Sequence, residues 1–203
     1  MRIVGGRHRG RALEAPPGRD VRPTADRARE ALFNLLLHGD FGGAAAPLIG
    51  ARVLDAFAGS GALGLEALSR GAVFLTCLET AAAACQAIAA NAASLGETSR
   101  VAVRRADATR PPPAPADPAV APCDLVLLDP PYGSGLAAPA LQALAAAGWI
   151  APGALVVVES GTRDELALPP GFVECDRRRY GKAVLSFLRA PAADMLDGLR
   201  RGP

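Results

Sequence analysis

The sequence predicts an α/β fold built on a mostly parallel sheet of seven strands. From about residue 51 onwards, short apolar runs alternate with longer segments of helical spacing, which is the pattern of parallel strands joined by helices. Glycine and proline clusters separate these segments. The last two apolar runs have no helix between them, so we expect an antiparallel hairpin at one edge of the sheet. A chain of 203 residues is long enough for one such domain with a full core.

The first 46 residues are expected to form a small extension, a β-hairpin followed by a helix. Ile3-Val4 and Arg9–Leu13 are the expected arms of the hairpin, and Gly5-Gly6 supplies its turn. Thr24 is the expected N-cap of the helix, because the apolar residues that follow it have helical spacing. Gly39 ends this helix.

The main domain is expected to span residues 47–190, followed by a frayed tail at 191–203. Its apolar runs predict five strands before the final hairpin, at residues 52–55, 73–78, 101–103, 125–128 and 154–158. Segments of helical spacing predict three helices, at residues 62–70, 81–95 and 136–147. The hairpin arms are residues 172–175 and 183–188, and residues 110–122, rich in proline and alanine, predict a surface loop.

The composition argues against several classes of protein. No run of 18 apolar residues predicts a membrane span, and the N-terminus lacks the apolar core of a secretion signal. The four cysteines lie far apart without CxxC spacing, so we expect reduced thiols and no metal site. These features predict a cytoplasmic protein, and a monomer is the simplest expectation for its oligomeric state.

Positive charge is concentrated near the N-terminus. Residues 1–30 contain eight arginines and four acids, whereas the rest of the chain contains 14 basic and 16 acidic residues. This asymmetry is typical of a segment that contacts a polyanion such as nucleic acid. A solvated basic face explains the same count, so the charge alone leaves both interpretations open.

Four residues, Asp129-Pro130-Pro131-Tyr132, follow the fourth expected strand. In open α/β sheets, ligands bind beyond the carboxyl ends of the strands. A carboxylate, carbonyl groups on a proline-stiffened chain and a flat ring suit the binding of a planar base that carries an amino group. By itself, the tetrad fits an ordinary exit from a strand into a loop equally well.

A glycine-rich loop, DAFAGSGALG (55–64), follows the first expected strand. Its glycines match GxGxxG, a pattern that also occurs in dinucleotide-binding proteins. A dinucleotide site needs a pyrophosphate near the start of the next helix. Asp55, four residues before the first glycine, would repel that group but could accept hydrogen bonds from a cationic ligand. No histidine or lysine suited to hydride transfer lies near the expected pocket, which further disfavours an NAD-dependent oxidoreductase.

Acidic residues end four successive strands of the predicted sheet. Glu79 lies about 20 residues beyond the glycines, where an acid can accept both hydroxyls of a ribose. Asp107 could accept from the amino group of an adenine, although an Asx turn explains it equally. Together with Asp55 and Asp129, these acids describe a pocket for an adenosine that carries positive charge and no phosphate. S-adenosylmethionine is such a molecule.

Two sequence blocks resemble known methyltransferases. DAFAGSGALGLEALSRGA (55–72) with DPPY (129–132) resembles the class I S-adenosylmethionine-dependent methyltransferases, and DPPY is similar to the motif of enzymes that methylate amino or amide nitrogens. RIVGGRHRGRALEAPPG (2–18) with RPTADRAREALFNLL (22–36) resembles the bacterial RsmD family, the 16S rRNA guanine-966 N2-methyltransferases. The resemblance extends from residue 2 to about 189. It implies a Rossmann-like class I methyltransferase fold with helices on both faces of the seven-stranded sheet.

The resemblance also implies roles for individual residues and a partner, 16S rRNA or an assembling small ribosomal subunit. The target guanine would be held by the catalytic residues Asp129, Pro130, Pro131 and Tyr132. S-adenosylmethionine, with S-adenosylhomocysteine as its product and no metal, would be bound by Asp55, Ala58, Gly59, Ser60, Gly61, Glu79, Asp107 and Ala108. The rRNA would be contacted by Arg7, Arg9, Arg11, Arg22, Thr24 and Arg27.

Two other functions stay open at this point. A DNA adenine-N6 or protein amide methyltransferase would share the DPPY motif. A non-catalytic, rRNA-binding assembly factor would share the basic N-terminus, although it would have no use for acids at four strand ends.

Overall fold

The computed structural model describes residues 1–15, 23–41 and 48–201. Nothing is described of the side chains of residues 23–27, 197 and 199–201. The seven strands are β1 (Arg52–Asp55), β2 (Phe74–Glu79), β3 (Val101–Arg105), β4 (Cys123–Leu128), β5 (Ile150–Gly161), β6 (Val173–Tyr180) and β7 (Ala183–Arg189). The five α-helices are α1 (Pro23–His38), α2 (Ala62–Ser69), α3 (Ala82–Ser94), α4 (Ala137–Ala146) and α5 (Ala193–Arg201).

The strands form one sheet in the order β3-β2-β1-β4-β5-β7-β6. All pairings among β1 to β5 are parallel, whereas β7 pairs antiparallel with both β5 and β6. The predicted seven-stranded, mostly parallel sheet with an antiparallel hairpin at one edge is therefore confirmed. The strand order reverses between β1 and β4, and such a switch point opens a crevice beyond the carboxyl ends of the two strands.

Apolar side chains cover both faces of the sheet, as the continuous apolar runs of its central strands require. One face packs against α1, α2 and α3 through residues such as Phe33, Leu65 and Ile88. The other face packs against α4 and α5, and the fully buried Trp149 belongs to the same core cluster. The helices thus lie on both sides of the sheet, as expected for this fold class.

The N-terminal extension shares the core of the main sheet. Ile3, Leu13 and Leu36 are buried in the same cluster as Val53 of β1. Phe41, just after α1, stacks on Phe187 of β7 with ring centroids 4.7 Å apart. Burial of this kind stabilises each large apolar side chain by about 1.5–3 kcal/mol, so the extension contributes to the stability of the whole fold.

Residues 1–13 pair as an irregular antiparallel loop with a single β-bridge, between Arg2 and Ala12. The expected arms do run antiparallel, since the amide of Ile3 donates to the carbonyl of Arg11 at 2.9 Å. The turn, however, is a 3-10 helix at Gly6–His8 rather than the Gly5-Gly6 pair. A longer β-hairpin would use more of the backbone groups for pairing between its strands, but here side chains of α2 bind some of them instead.

Those side chains are Ser69 and Glu66. The hydroxyl of Ser69 donates to the carbonyl of Gly5 at 2.6 Å and accepts from the amide of His8 at 3.0 Å. The amide of Val4 donates to Oε2 of Glu66 at 2.8 Å. The loop is therefore held by α2 more than by its own pairing.

Glu66 is fully buried, and arginines compensate its charge. Arg70 donates to its Oε1 at 2.7 Å, and Arg29 lies 3.9 Å from its Oε2. Arg29 also donates to the carbonyl of Arg2 at 2.7 Å. This buried cluster joins α1, α2 and the N-terminal loop, and it gives Arg29 the local acidic partner that its position in the basic segment suggests.

The expectation of a frayed C-terminal tail is wrong in part, because residues 193–201 form helix α5. Leu196 is fully buried in the core cluster on the α4 face of the sheet, and this contact holds the helix in place. The proline- and alanine-rich loop at 110–122 is irregular, as predicted, and the indole of Trp149 donates to the carbonyl of Pro112 at 2.8 Å. None of the helices in the described residues is long and apolar enough to cross a membrane.

Candidate active site

A cavity of about 210 Å³ lies at the carboxyl ends of the central strands, at the switch point between β1 and β4. Five predicted site residues are in its wall: Glu79, Asp107, Ala108, Asp129 and Pro131. The sequence did not indicate the other lining residues, Ala56, Phe57, Leu78, Thr80, Ala106 and Leu136. All of these except Leu136 lie one or two positions from Asp55, Glu79 or Asp107, so their closeness to the acids is the signal that could have identified them.

Asp55 is buried and organises the start of α2. Its Oδ2 accepts from the amide of Gly64 at 3.0 Å. A side chain at Gly64 would lie 2.5 Å from Cδ1 of Leu75, so only glycine allows this close approach of α2 to β2. Gly61 caps α2 with a left-handed backbone (φ 76°), which glycine adopts without strain.

The other predicted residues of the glycine loop do not line the cavity. Ala58 is buried in the core, and Gly61 packs against Ile88. The hydroxyl of Ser60 points to the sulfur of Met1 at 3.3 Å. The loop therefore contributes Ala56 and Phe57 to the wall of the cavity, whereas residues 58–61 are not part of it.

Glu79, at the end of β2, holds two backbone segments. Its Oε2 accepts from the amide of Gly59 at 2.8 Å, and its Oε1 accepts from the amide of Ala81 at 2.9 Å. The hydroxyl of Thr80 also donates to Oε1, at 3.2 Å. A carboxylate has about four lone-pair sites, so Glu79 keeps capacity for a hydroxyl group in the cavity that it lines.

Asp107 forms the Asx turn that its sequence context suggests, and it also lines the cavity. Its Oδ1 accepts from the amide and the hydroxyl of Thr109, both at 2.8 Å. These hydrogen bonds lower the pKa of the Asp107 carboxyl below its usual value. The side chain is therefore ionised at neutral pH and can accept from an amino group.

The acceptor loop, which we define as residues 129–135, leaves β4 at the cavity. Pro131 is in the cavity wall, while Tyr132 is about half exposed (49%). The phenol of Tyr132 donates to Oε1 of Glu159, at the end of β5, at 2.6 Å. The ring is thus fixed at one edge and leaves much of its surface open to a ligand.

Asp164 connects the same loop to the end of β5. Its Oδ1 accepts from the amide of Gly133 at 3.1 Å, and its Oδ2 accepts from the amide of Gly161 at 2.7 Å. Sequence reasoning missed Asp164 and gave no role to Glu159, although Glu159 was visible as the acid that ends the fifth strand.

The predicted RNA-contacting arginines of the N-terminal loop lie away from the cavity. Arg7 donates to the carbonyl of Leu68 at 3.0 Å and pairs with Glu97 at 2.9 Å. Leu68 is at the end of α2, and Glu97 follows α3, so both lie near the end of the sheet at which the parallel strands begin. The cavity is at the opposite end of the sheet, beyond the carboxyl ends of the parallel strands.

Arg9 and Arg11 are exposed in the same loop, and Arg11 donates to the carbonyl of Ser94 at 2.6 Å. Arg22 lies outside the described residues. The side chains of Thr24 and Arg27 are also outside the described part, although their backbone belongs to α1.

Glu97 anchors the tip of the N-terminal loop. It is almost completely buried, and Arg7, His8 and Arg100 all contact its carboxylate. Burial opposes ionisation, but the hydrogen bonds from His8 and Arg100 outweigh it and hold the pKa of the Glu97 carboxyl below its usual value. Among the described residues, no group of three or more histidine, cysteine or acidic side chains could hold a metal ion.

The sheet order, the cavity at the switch point and the acids at the strand ends define a class I methyltransferase fold. A family model described as "Conserved hypothetical protein 95" matches residues 1–189. The chain belongs to this family, the RsmD family that the sequence motifs indicated.

Several known proteins are similar to the chain over most of its length. Ribosomal RNA small subunit methyltransferase D of Escherichia coli K12 is 39% identical over 91% of this chain and 86% of its own. The protein of the same name from Haemophilus influenzae is 35% identical over 89% of each chain. The solved structure of Escherichia coli yhhF has a TM-score of 0.75 and 34% identity, with 95% of this chain and 98% of that chain covered.

Proposed function

We propose that the protein transfers a methyl group from S-adenosylmethionine to the exocyclic N2 of a guanine in 16S rRNA. The observation that carries this proposal is the acceptor loop, which brings Asp129 and Pro131 into the wall of a cavity shared with Glu79 and Asp107. The relatives named Ribosomal RNA small subunit methyltransferase D support rRNA as the substrate class. Guanine N2, and the position equivalent to 966, follow from the family resemblance.

The residues at the cavity fit the adenosine part of S-adenosylmethionine. Glu79 would accept the ribose hydroxyls, and Asp107 the amino group of the adenine, between apolar walls that include Phe57 and Leu78. Asp55 and the backbone at Ala58–Gly61 would bind the methionine part.

The chemistry assigned to the protein is mainly positioning. When bound, S-adenosylmethionine supplies a methyl group that its sulfonium already activates, and the product is S-adenosylhomocysteine. The lone pair of guanine N2 is delocalised into the ring and is a poor nucleophile. Asp129 and the carbonyl of Pro130 would accept hydrogen bonds from the two N2 hydrogens, so that the nitrogen can become pyramidal and its lone pair can point at the methyl carbon. As the N–C bond forms and the methyl–sulfur bond breaks, one N2 proton would pass to the carboxylate of Asp129 and from there to solvent.

Tyr132 would stack on the target base. Base–aromatic stacking contributes about 1–3 kcal/mol per base in other complexes, and the half-exposed ring has the free surface for it. The base must leave any helical stack before it can enter the site. Pro131, in the cavity wall, would bound the other side of the base.

The N-terminal segment would contribute to rRNA binding through exposed arginines. The proposed phosphate contacts are Arg9, Arg11, Arg22, Thr24 and Arg27. The arginines suit this role, since an arginine fork binds phosphate in a bidentate manner. Arg7 pairs with Glu97, so its main proposed role is to dock the loop.

A substrate panel tests the proposal. The protein is incubated with methyl-labelled cofactor and, separately, with immature small ribosomal subunits, naked 16S rRNA, DNA and a peptide rich in amide side chains. Label is expected only in the two RNA-containing reactions. Label in DNA or peptide would favour the other amino-methyltransferase activities, and RNA binding without label would favour a non-catalytic assembly factor.

A further inference from the structure

Negative charge surrounds the acceptor loop, and this poses a problem for an RNA substrate. Asp129 is in the loop, and Glu159 and Asp164 bind it from β5 and the segment after it. Carboxylates repel the phosphates on either side of a target nucleotide. The tip of the N-terminal loop docks at the other end of the sheet, where the parallel strands begin. Other cations must therefore neutralise the RNA backbone near the acceptor loop.

The turn between β6 and β7 lies at the same end of the sheet as the acceptor loop, where the parallel strands finish. Gly161, at the end of β5, pairs with Ala183 at the start of β7. The amide of Thr162 donates to the carbonyl of Lys182 at 3.2 Å. Because β6 runs towards this end of the sheet and β7 runs away from it, the turn residues project beside the ends of β4 and β5.

The strand register places Arg178 in line with the contact that fixes Tyr132. Glu159 pairs with Leu185, and Leu185 pairs with Arg178 on the next strand. Neighbouring strands are about 4.8 Å apart, so the backbone of Arg178 is about 10 Å from that of Glu159. Residues that pair directly across antiparallel strands point to the same face of the sheet. Arg178 therefore lies on the same face as Glu159.

The end of β6 and the turn after it carry more positive than negative charge. Arg178, Arg179 and Lys182 are all exposed. Arg178 is partly neutralised, because its Nε lies 2.9 Å from Oδ2 of Asp176. Arg179 donates only to the backbone carbonyl of Gly181, at 3.1 Å, and neither it nor Lys182 forms an ion pair within the described residues. We call Arg178, Arg179 and Lys182 the hairpin cations.

We propose that the hairpin cations bind the phosphates that flank the target nucleotide and so form a second RNA-binding element beside the acceptor loop. The proposal rests on RNA being the substrate. The two arginines suit bidentate contact with phosphate oxygens, and Lys182 provides a point charge at the tip of the turn. The hairpin would position the RNA backbone while the acceptor loop holds the base, without reading the sequence itself.

The test compares the triple variant Arg178→Gln, Arg179→Gln, Lys182→Gln with the unaltered protein in RNA methylation assays over a range of salt concentrations. The salt dependence of RNA binding should become shallower by about 2 in its log–log slope, and KM for RNA should rise about tenfold or more at 0.1 M salt. The affinity for S-adenosylhomocysteine should stay unchanged, which also shows that the variant is folded.

A pair of single variants provides a matched control. Lys182→Gln and Arg177→Gln each remove one charge from the same hairpin, but Arg177 is three residues before the end of β6 and pairs with Glu174 at 3.3 Å. Lys182→Gln should raise KM for RNA more than Arg177→Gln does. Equal effects, or an unchanged salt slope in the triple variant, would overturn the inference. If the unaltered protein does not methylate RNA at all, the proposed function has failed instead.

Discussion

The contact between Tyr132 and Glu159 makes a quantitative prediction about how the acceptor loop is positioned. Tyr132→Phe keeps the aromatic ring but removes the hydroxyl that donates to Glu159 at 2.6 Å. A hydrogen bond to a charged group contributes about 1.5–3 kcal/mol. Because the ring is about half exposed, we expect the lower part of that range or less. A loss of about 1 kcal/mol corresponds to about a fivefold decrease in kcat/KM.

The assay is a double-mutant cycle on kcat/KM for methylation of small-subunit RNA. Tyr132→Phe, Glu159→Ala and the double variant should each lose about the same activity, because the two side chains act through one hydrogen bond. Glu159→Gln, which can still accept a hydrogen bond, should retain more activity than Glu159→Ala. Glu165→Ala is the matched control, since Glu165 is an exposed acid in the same segment.

Additive losses in the double variant would refute this reasoning, because they would show that Tyr132 and Glu159 act independently. The affinity for S-adenosylhomocysteine separates a positioning effect from general damage to the site. It should be the same in all four variants.

Two further predictions concern the anchoring of the N-terminal loop, and both are measured by urea unfolding. Glu66→Ala leaves the buried arginines Arg29 and Arg70 without their carboxylate, so the free energy of unfolding should fall by about 3–5 kcal/mol, and a loss below about 1 kcal/mol would contradict the buried cluster. The pKa of the Glu97 carboxyl is below its ordinary value of 4.5 in the folded protein, so its ion pairs stabilise the fold fully above that value and lose this effect as the pH falls through the lowered pKa. The stability difference between the unaltered protein and Glu97→Gln should therefore be constant near neutral pH and shrink in acid, whereas a difference that grows in acid would contradict this sign.

The sequence predicted the sheet and the placement of acids at the strand ends, because both depend on local patterns. Apolar runs mark the strands, and the residues just after them must lie at one edge when the strands are parallel. Glu79, Asp107 and Asp129 line one cavity for this reason, although they are far apart in the chain. The glycine pattern located the loop correctly, but it did not show that Ser60 faces Met1.

Contacts between distant segments could not be predicted in the same way. Arg7 pairs with Glu97, and Tyr132 with Glu159, only because the fold brings them together. Helix α5 was missed because it is held by the burial of Leu196 against the rest of the fold, which is a tertiary contact. The hairpin cations lie at the end of β6 and in the turn after it, whereas the count of charges along the chain indicated the N-terminus instead.

The central claim is that Asp129 presents a guanine N2 to the methyl donor. The most direct measurement is mass spectrometry of the nucleosides from small-subunit RNA that has been treated with the cofactor and either the unaltered protein or Asp129→Ala. The account predicts N2-methylguanosine with the unaltered protein and none with the variant, while both bind S-adenosylhomocysteine equally. A methylated base other than guanine, or undiminished N2-methylguanosine with Asp129→Ala, would contradict it.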